Sequence, residues 1–330
     1  MLRVCCKIEI TRSWIQESGA DALTVWNIDR VANVSITGDS DTLADTCRIE
    51  LPRNAKWVGS GNVPIRRGDD VVVWLGYNEK LDKRFVGKVK EVAAGTPTVI
   101  TCEDMMFVLR QKSIKKKLYR KCEVGALLKD ILPAGIKYET SGKIEIGDYR
   151  TTATTVAGEL ALLYDNCHIK SFFELNEKGA PVLYVYSIFA KERNVSGTFA
   201  TSKNVISHNL EYKRAEDVRI RVKGVSTFLN GKKIEYSEGD GDERTINYYN
   251  LNMAQLKVAV KNELKRLKWD GLNGTFETFG KPVVRKMDVL DLEIEGVTPA
   301  RYQVKAVNVD FGQNGYRQKI ELQRKVLNNE

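Results

Sequence analysis

The sequence predicts a mainly β protein: two similar β-barrel domains, residues 1–113 and 204–330, on either side of a small α+β domain at 114–203. Three observations predict it. Apolar residues recur with period two in short β-rich runs at both ends of the chain, the period of a half-buried strand. Between about 123 and 167 the period becomes helical. A strand–loop–strand pattern that begins at Asp70 returns at Asp288.

In the first segment the runs are Lys7 to Thr11, Val31 to Thr37, Cys47 to Leu51, Val71 to Leu75, Phe85 to Val92 and Val99 to Cys102. They are separated by turn-forming clusters: Gly38-Asp39-Ser40-Asp41, Pro52-Arg53-Asn54, Arg67-Gly68-Asp69-Asp70 and Gly95-Thr96-Pro97. Short strands with such frequent turns specify a sandwich or small barrel.

The middle segment opens with Glu123 to Leu132, where Val124, Leu127, Leu128 and Ile131 form one helical stripe that Pro133 ends. A second helix runs from Val156 to Cys167 on Val156, Leu160, Leu163 and Tyr164. Ile169 to Glu174 and Val182 to Ile188 then read as a hairpin around Asn176-Glu177-Lys178-Gly179.

Strands return after Asn204 at Leu210 to Tyr212, Val218 to Val225 and Lys233 to Tyr236, followed by the acidic loop Glu238 to Glu243. A helical insertion at about 245–275 interrupts the second barrel. Asn252 is placed to cap its helix with Gln255 three residues on, Leu256, Val260, Leu264 and Leu267 form the stripe, and Lys265, Arg266 and Lys268 sit at the negative end. Strands resume from Val283. The repeat aligns Asp70 to Leu75 and Phe85 to Val92 with Asp288 to Leu292 and Tyr302 to Val309, so a duplicated domain is expected.

Composition removes most chemistry. The 330 residues carry 42% hydrophobic and 29% charged residues and 7 Pro, the balance of a chain that buries a core. The N-terminal stretch turns polar before a signal-peptide core forms, and no window has the apolar length of a membrane span. Six cysteines without ligand spacing read as reduced thiols of a cytoplasmic product, and two histidines are too few for a multi-His zinc site. Cys167-His168 and Ser207-His208 are sequence neighbours, and consecutive strand side chains point to opposite faces, a poor geometry for a nucleophile and its base. Asp240-Gly241-Asp242-Glu243 lacks the carboxylate ladder of a calcium loop and reads as a solvated turn. Dinucleotide, Walker and esterase-elbow motifs are absent, and no acid pair is singled out. Trp14, Trp26, Trp57, Trp74 and Trp269 read as core or interface residues. No cofactor, metal or catalytic residue is expected. The net charge of +9 is spread over 52 basic and 43 acidic residues; its one concentration, Arg110 to Lys121, holds seven basic residues in twelve and reads as a solvated linker.

Ala44 to Pro52, Ile65 to Tyr77 and Phe85 to Val89 together resemble the opening domain of phage tail baseplate hub proteins, the group that includes late control protein D and the front half of type VI secretion spike proteins. The helix from Val156, Gly224-Val225, the helix from Asn252, Gly280 to Val283, Tyr302 to Val307 and Gly315 to Leu322 are similar to that family's middle unit, insertion and closing barrel. One departure is Lys286-Met287-Asp288, where the family pattern has a Gly-Asp turn.

The resemblance implies a non-enzymatic structural protein of a phage or prophage tail baseplate, made in the bacterial host cytoplasm. It implies a homotrimer in which six barrels meet a six-fold tube on one side and a three-fold spike on the other. The implied partners are the tail tube protein, a separate spike protein and the tape-measure protein, with no sequence-specific nucleic acid and no membrane-spanning segment. Interface candidates are Val71, Val73 and Trp74 with Val289, Leu290 and Leu292, because adjacent apolar positions suggest burial on both faces. The competing reading of these six is ordinary barrel core. Two other functions stay open: a tail-associated cell-wall hydrolase, and a basic nucleic-acid-binding protein using Arg110 to Lys121.

Overall fold

The computed structural model describes residues 3–12, 24–53, 64–93, 95–187, 195–228 and 230–326. Trp14, Asn54, Trp57 and Ile188 lie outside the described residues.

The first segment forms β1 (Val4–Arg12), β2 (Thr24–Ile28), β3 (Asn33–Asp39), β4 (Thr46–Glu50), β5 (Asp70–Tyr77), β6 (Lys80–Ala93) and β7 (Val99–Asp104). All the expected runs are strands; β2, five residues at an edge, is an additional one. In β5 the pleat turns Val71, Val73 and Leu75 into the core and leaves Val72 and Trp74 on the other face.

The middle unit comprises α1 (Met106–Gln111), β8 (Leu118–Glu123), α2 (Val124–Ile131), β9 (Tyr138–Thr140), β10 (Glu145–Arg150), α3 (Val156–Cys167), β11 (Ile169–Leu175) and β12 (Pro181–Ser187). Both expected helices are present. The α2 stripe is buried, and α3 starts where Thr155 Oγ1 accepts from Gly158 N and ends at His168 in the left-handed region. Glu159 is buried in the first turn of α3, accepting from Tyr149 Oη at 2.5 Å and from the backbone of Thr152 and Ala153 at 3.0 and 2.9 Å. Met106 and Leu109 join this core, so its packing reaches back into α1. The expected linker is therefore ordered structure, the end of α1 and the strand β8, because residues 118–123 pair with β10.

The last segment forms β13 (Val195–Ala200), β14 (Val205–Lys213), β15 (Ile220–Thr227), β16 (Lys233–Asp240), β17 (Asp242–Tyr249), α4 (Met253–Leu267), β18 (Gly271–Phe279), β19 (Val289–Glu293), β20 (Ala300–Gly312) and β21 (Gly315–Lys325). The capping box of α4 is as expected, with reciprocal Asn252–Gln255 hydrogen bonds of 3.0 Å. The insertion is larger than expected. Strands β16–β15–β17 form a separate sheet against α4, with Val222, Ile246, Tyr248, Leu256 and Val260 as its core. Gly224 permits this packing, since a Cβ there would lie 2.4 Å from Val260 Cγ2.

The middle unit has two small sheets of its own, β10–β8 and β11–β12–β9, and the other thirteen strands build one sheet. Within it β3–β4–β7–β6–β5 and β14–β18–β21–β20–β19 have the same order, with every pair antiparallel. The two halves join where β20 pairs with β3, from Ala306 opposite Asp39 to Gly312 opposite Asn33. Their core is common, Ile36, Val73 and Cys102 belonging with Leu290, Val304 and Ile320. Strand pairing among the described residues closes no barrel; what is duplicated is an open strand order continued across one seam.

The duplication extends to hydrogen bonds, in a register one residue from that read in the sequence. Asp69 N donates to Arg66 O, Arg66 N to Asp69 Oδ2, and Val89 N to Asp69 O. Asp288 N donates to Arg285 O, Arg285 N to Asp288 Oδ2, and Val304 N to Asp288 O. Asp69 thus corresponds to Asp288, and Met287, at φ +67°, takes the place of Gly68 at φ +93°. The turn survives the loss of its glycine because Met287 adopts the left-handed backbone itself.

Candidate assembly surfaces and the buried junction

The six interface candidates are divided by the fold. Val71, Val73, Leu290 and Leu292 lie in the common core, and Val289 is buried as well. The expectation of a flank surface is corrected for these five, since each fills the chain's own interior; in β5 the supposed two-sided burial is a plain alternation. Trp74 is the sixth and remains partly exposed, with Lys7 Nζ 5.2 Å and Lys83 Nζ 5.6 Å from its ring.

The charged junction beneath the turn of Met287 has no counterpart in the motifs read from the sequence. Lys286 Nζ, buried, contacts Asp45 Oδ1 at 2.5 Å and stands 4.8 Å from the Phe172 ring of β11. Asp104 Oδ2 accepts from Asp45 N at 2.9 Å, while its Oδ1 accepts from Met106 N at 2.8 Å. Burial pushes Asp45 up to about 6 against the pull of Lys286, and burial with the neighbouring Asp45 pushes Asp104 up to about 8. Burial opposes charge on Lys286, yet Asp45, Asp104 and Glu174 together hold its pKa above the ordinary lysine value. The cluster ties the β3–β4 loop, the end of β7, the middle unit and the second half at one point. Lys170 of β11 adds a tether to Asp41 at 2.7 Å.

The other singled-out residues separate in space. Cys167 lines an apolar cleft of about 430 Å³ between β10, the end of α3 and α4, with Ile144, Ile146, Tyr248 and Val258. Its thiol is pushed up to about 12 by burial, whereas His168 packs on Tyr248 with Nε2 3.0 Å from Asn247 O, so the two form no nucleophile–base pair. Ser207 and His208 lie exposed on β14. In the basic stretch, Arg110, Lys117 and Arg120 pair with Glu103, Asp130 and Asp148. The acidic run is the crossover from β16 to β17, made at Gly239 and Gly241 with φ +98° and +112°. Among the described residues no group of His, Cys, Asp or Glu is arranged to hold a metal ion, and no helix is long and apolar enough to cross a membrane.

Compared with solved structures, the chain is similar over nearly its whole length to a tail protein of Neisseria meningitidis MC58, with TM-score 0.68, 12% identity and coverage of 98% of this chain and 96% of that one. The 43 kDa tail protein of prophage MuSo2 from Shewanella oneidensis gives TM-score 0.63 at 13% identity, covering 98% and 97%. The fold is that of phage tail proteins. An E. coli component of the type VI secretion system, itself described as similar to bacteriophage T4 tail proteins, shares this tail-protein fold with TM-score 0.58 at 12% identity, covering 98% of this chain and 77% of that one. No family model and no curated protein sequence matches the chain.

Proposed function

We propose that this chain is a structural component of a tail baseplate hub, in which three copies form a ring that joins a six-fold tail tube to a three-fold spike. One observation carries the reading: the chain contains the same strand order twice, joined by a single antiparallel seam between β20 and β3. Three such chains supply six equivalent halves, each a barrel-like unit in the assembled ring, which suits a six-fold surface, while the middle unit and insertion occur once per chain and keep three-fold symmetry. The tube protein, a separate spike polypeptide and the tape-measure protein are its proposed partners, and the tail baseplate its place. The work is assembly and load transfer; the buried junction of Asp45, Asp104 and Lys286 serves it by fixing the middle unit to both halves.

The deciding measurement is the mass of the complex recovered with the tube protein. Three copies per ring support the hub, and a persistent monomer or two-fold dimer in that complex overturns it. A cell-wall clearing assay addresses the hydrolase alternative, for which activity above background is required. A salt-dependent gel shift addresses nucleic-acid binding by Arg110 to Lys121.

A further inference from the structure

The two halves of the sheet are equivalent in order but not in what covers their edges. Strand β3 has β4 on one side and β20 on the other, whereas its counterpart β14 pairs only with β18 among the described residues. Strand β20 pairs with β19 through Gln303 and then with β3 from Ala306 onward, along the same edge. Its counterpart β6 pairs with β5 through Lys88, and no described strand continues along that edge after Val89. The two open edges are therefore the counterparts of the two that meet in the intrachain seam.

The correspondence can be carried to residues. Val89 and Val304 hold the same place against the repeated turns, and each is followed by one bulged lysine, Lys90 or Lys305, before pairing with β7 or β21 resumes at Glu91 or Ala306. Glu91, Val92 and Ala93 thus correspond to Ala306, Val307 and Asn308. On the other strand, Val34 opposite Ile49, itself opposite Ile100, matches His208 opposite Phe276, itself opposite Ile320. Leu210, Tyr212 and Lys213 then stand where Ile36, Gly38 and Asp39 stand in the first half.

We propose that β14 of one copy pairs antiparallel with the end of β6 of the next copy, repeating between chains the seam that β3 and β20 make within one. This rests on the hub reading and names the surface that closes its ring. Transferring the observed register places Lys213 opposite Glu91, Tyr212 opposite Val92 and Glu211 opposite Ala93. The side chains suit it. Unlike charges face each other at the first pair, and apolar groups meet at the second. Tyr212 is 55% and Ile206 37% exposed on β14, two large apolar groups on an open edge. Val92 and Leu210 sit half-buried at the rim of the core, whereas their counterparts Val307 and Ile36 are fully inside it, covered by the seam. Each copy offers one edge of each kind, so the contact is head-to-tail and generates a ring.

The test uses the full chain assembled with its tube protein and carrying a benzoylphenylalanine photocrosslinker at the exposed position Tyr212. Irradiation is expected to give interchain products whose linked peptide contains Lys90 to Ala93. In the same chain Val92→Asp should lower that product about tenfold, equivalent to about 1.4 kcal/mol per junction. Val25→Asp, on the open strand β2 at the opposite end of the sheet, should leave it unchanged. Because Val92 contacts the core, thermal melting accompanies that variant, while the crosslink map at Tyr212 stands independently of it. A three-copy ring whose Tyr212 products map to another strand overturns this pairing and leaves the hub intact. A monomer or two-fold dimer in the complex overturns both.

Discussion

Replacing Lys286 by Met removes the cation of the buried junction while keeping a side chain of comparable length. Asp45 must then stay as an anion without its counterion or take up a proton. Protonation sets the ceiling on the cost. At pH 7 Asp45, at about 6 in the folded chain, lies about one unit below ambient, so neutralising it costs about 1.4 kcal/mol. That lies below the ~3–5 kcal/mol typical of breaking a buried pair by deleting one partner, because Asp45 can take up a proton at little cost. At pH 5 Asp45 is already largely protonated in the parent chain, so the same step costs almost nothing. Urea unfolding of Lys286→Met at the two pH values reads both quantities, and Asp45→Asn with Lys286→Met should lose less than the two single variants combined. A loss that does not shrink between pH 7 and pH 5 refutes the account of a charge held in the interior.

Three further outcomes follow from the same geometry. Asp45 and Asp104 sit above their ordinary aspartate value, so the folded chain binds protons that the unfolded chain releases; the stability they add is complete below about pH 4 and is lost as pH rises through about 6 and about 8, a slope that Asp104→Asn should flatten in pH-resolved denaturation. Leu290→Ala should cost about 2–5 kcal/mol in unfolding while leaving the copy number of the assembled ring unchanged, since the residue fills the core of its own chain. Gly68→Ala meets no atom within 4 Å, so its expected cost of about 1 kcal/mol in thermal unfolding comes from the backbone at φ +93° alone.

What could be read from the sequence was what local periodicity controls. The stripe Val124, Leu127, Leu128 and Ile131 and the Asn252–Gln255 box are local patterns, and both take the expected form. Pairing partners are not local. An alternating run at Val222 or Ile234 satisfies the large sheet and the insertion's own sheet equally well, and only the packing of α4 against Gly224 selects the second. The continuity of the two halves through β20 and β3 was likewise invisible, because a strand's edges carry no signature of which neighbour they meet. The junction was the hardest feature to foresee: Asp45, Asp104 and Lys286 are brought together by the fold from separations of 59 and 241 residues. Its one trace was the missing glycine beside Lys286, which marked the turn without revealing the charge beneath it.

The repeated turns themselves supply the final test of how the middle unit is held. Arg67 and Lys286 occupy corresponding positions, each one residue before the left-handed residue, and each places its cation over an aromatic ring of the middle unit: Arg67 Cζ is 5.6 Å from the Phe107 ring of α1, and Lys286 Nζ is 4.8 Å from the Phe172 ring of β11. The duplicated halves therefore grip the once-only unit by equivalent hands in unequal surroundings. Arg67 is exposed, where a cation over a ring is worth about 0.5–1 kcal/mol, and among the described residues no carboxylate pairs with it. Lys286 is buried and neutralises Asp45. Arg67→Ala should consequently lose about 0.5–1 kcal/mol at pH 7 and at pH 5 alike, whereas the loss for Lys286→Met should be about 1.4 kcal/mol at pH 7 and shrink at pH 5. A loss at Lys286 that is as independent of pH as the loss at Arg67 would show that the aromatic contact and not the buried carboxylates governs how the turns hold the middle unit.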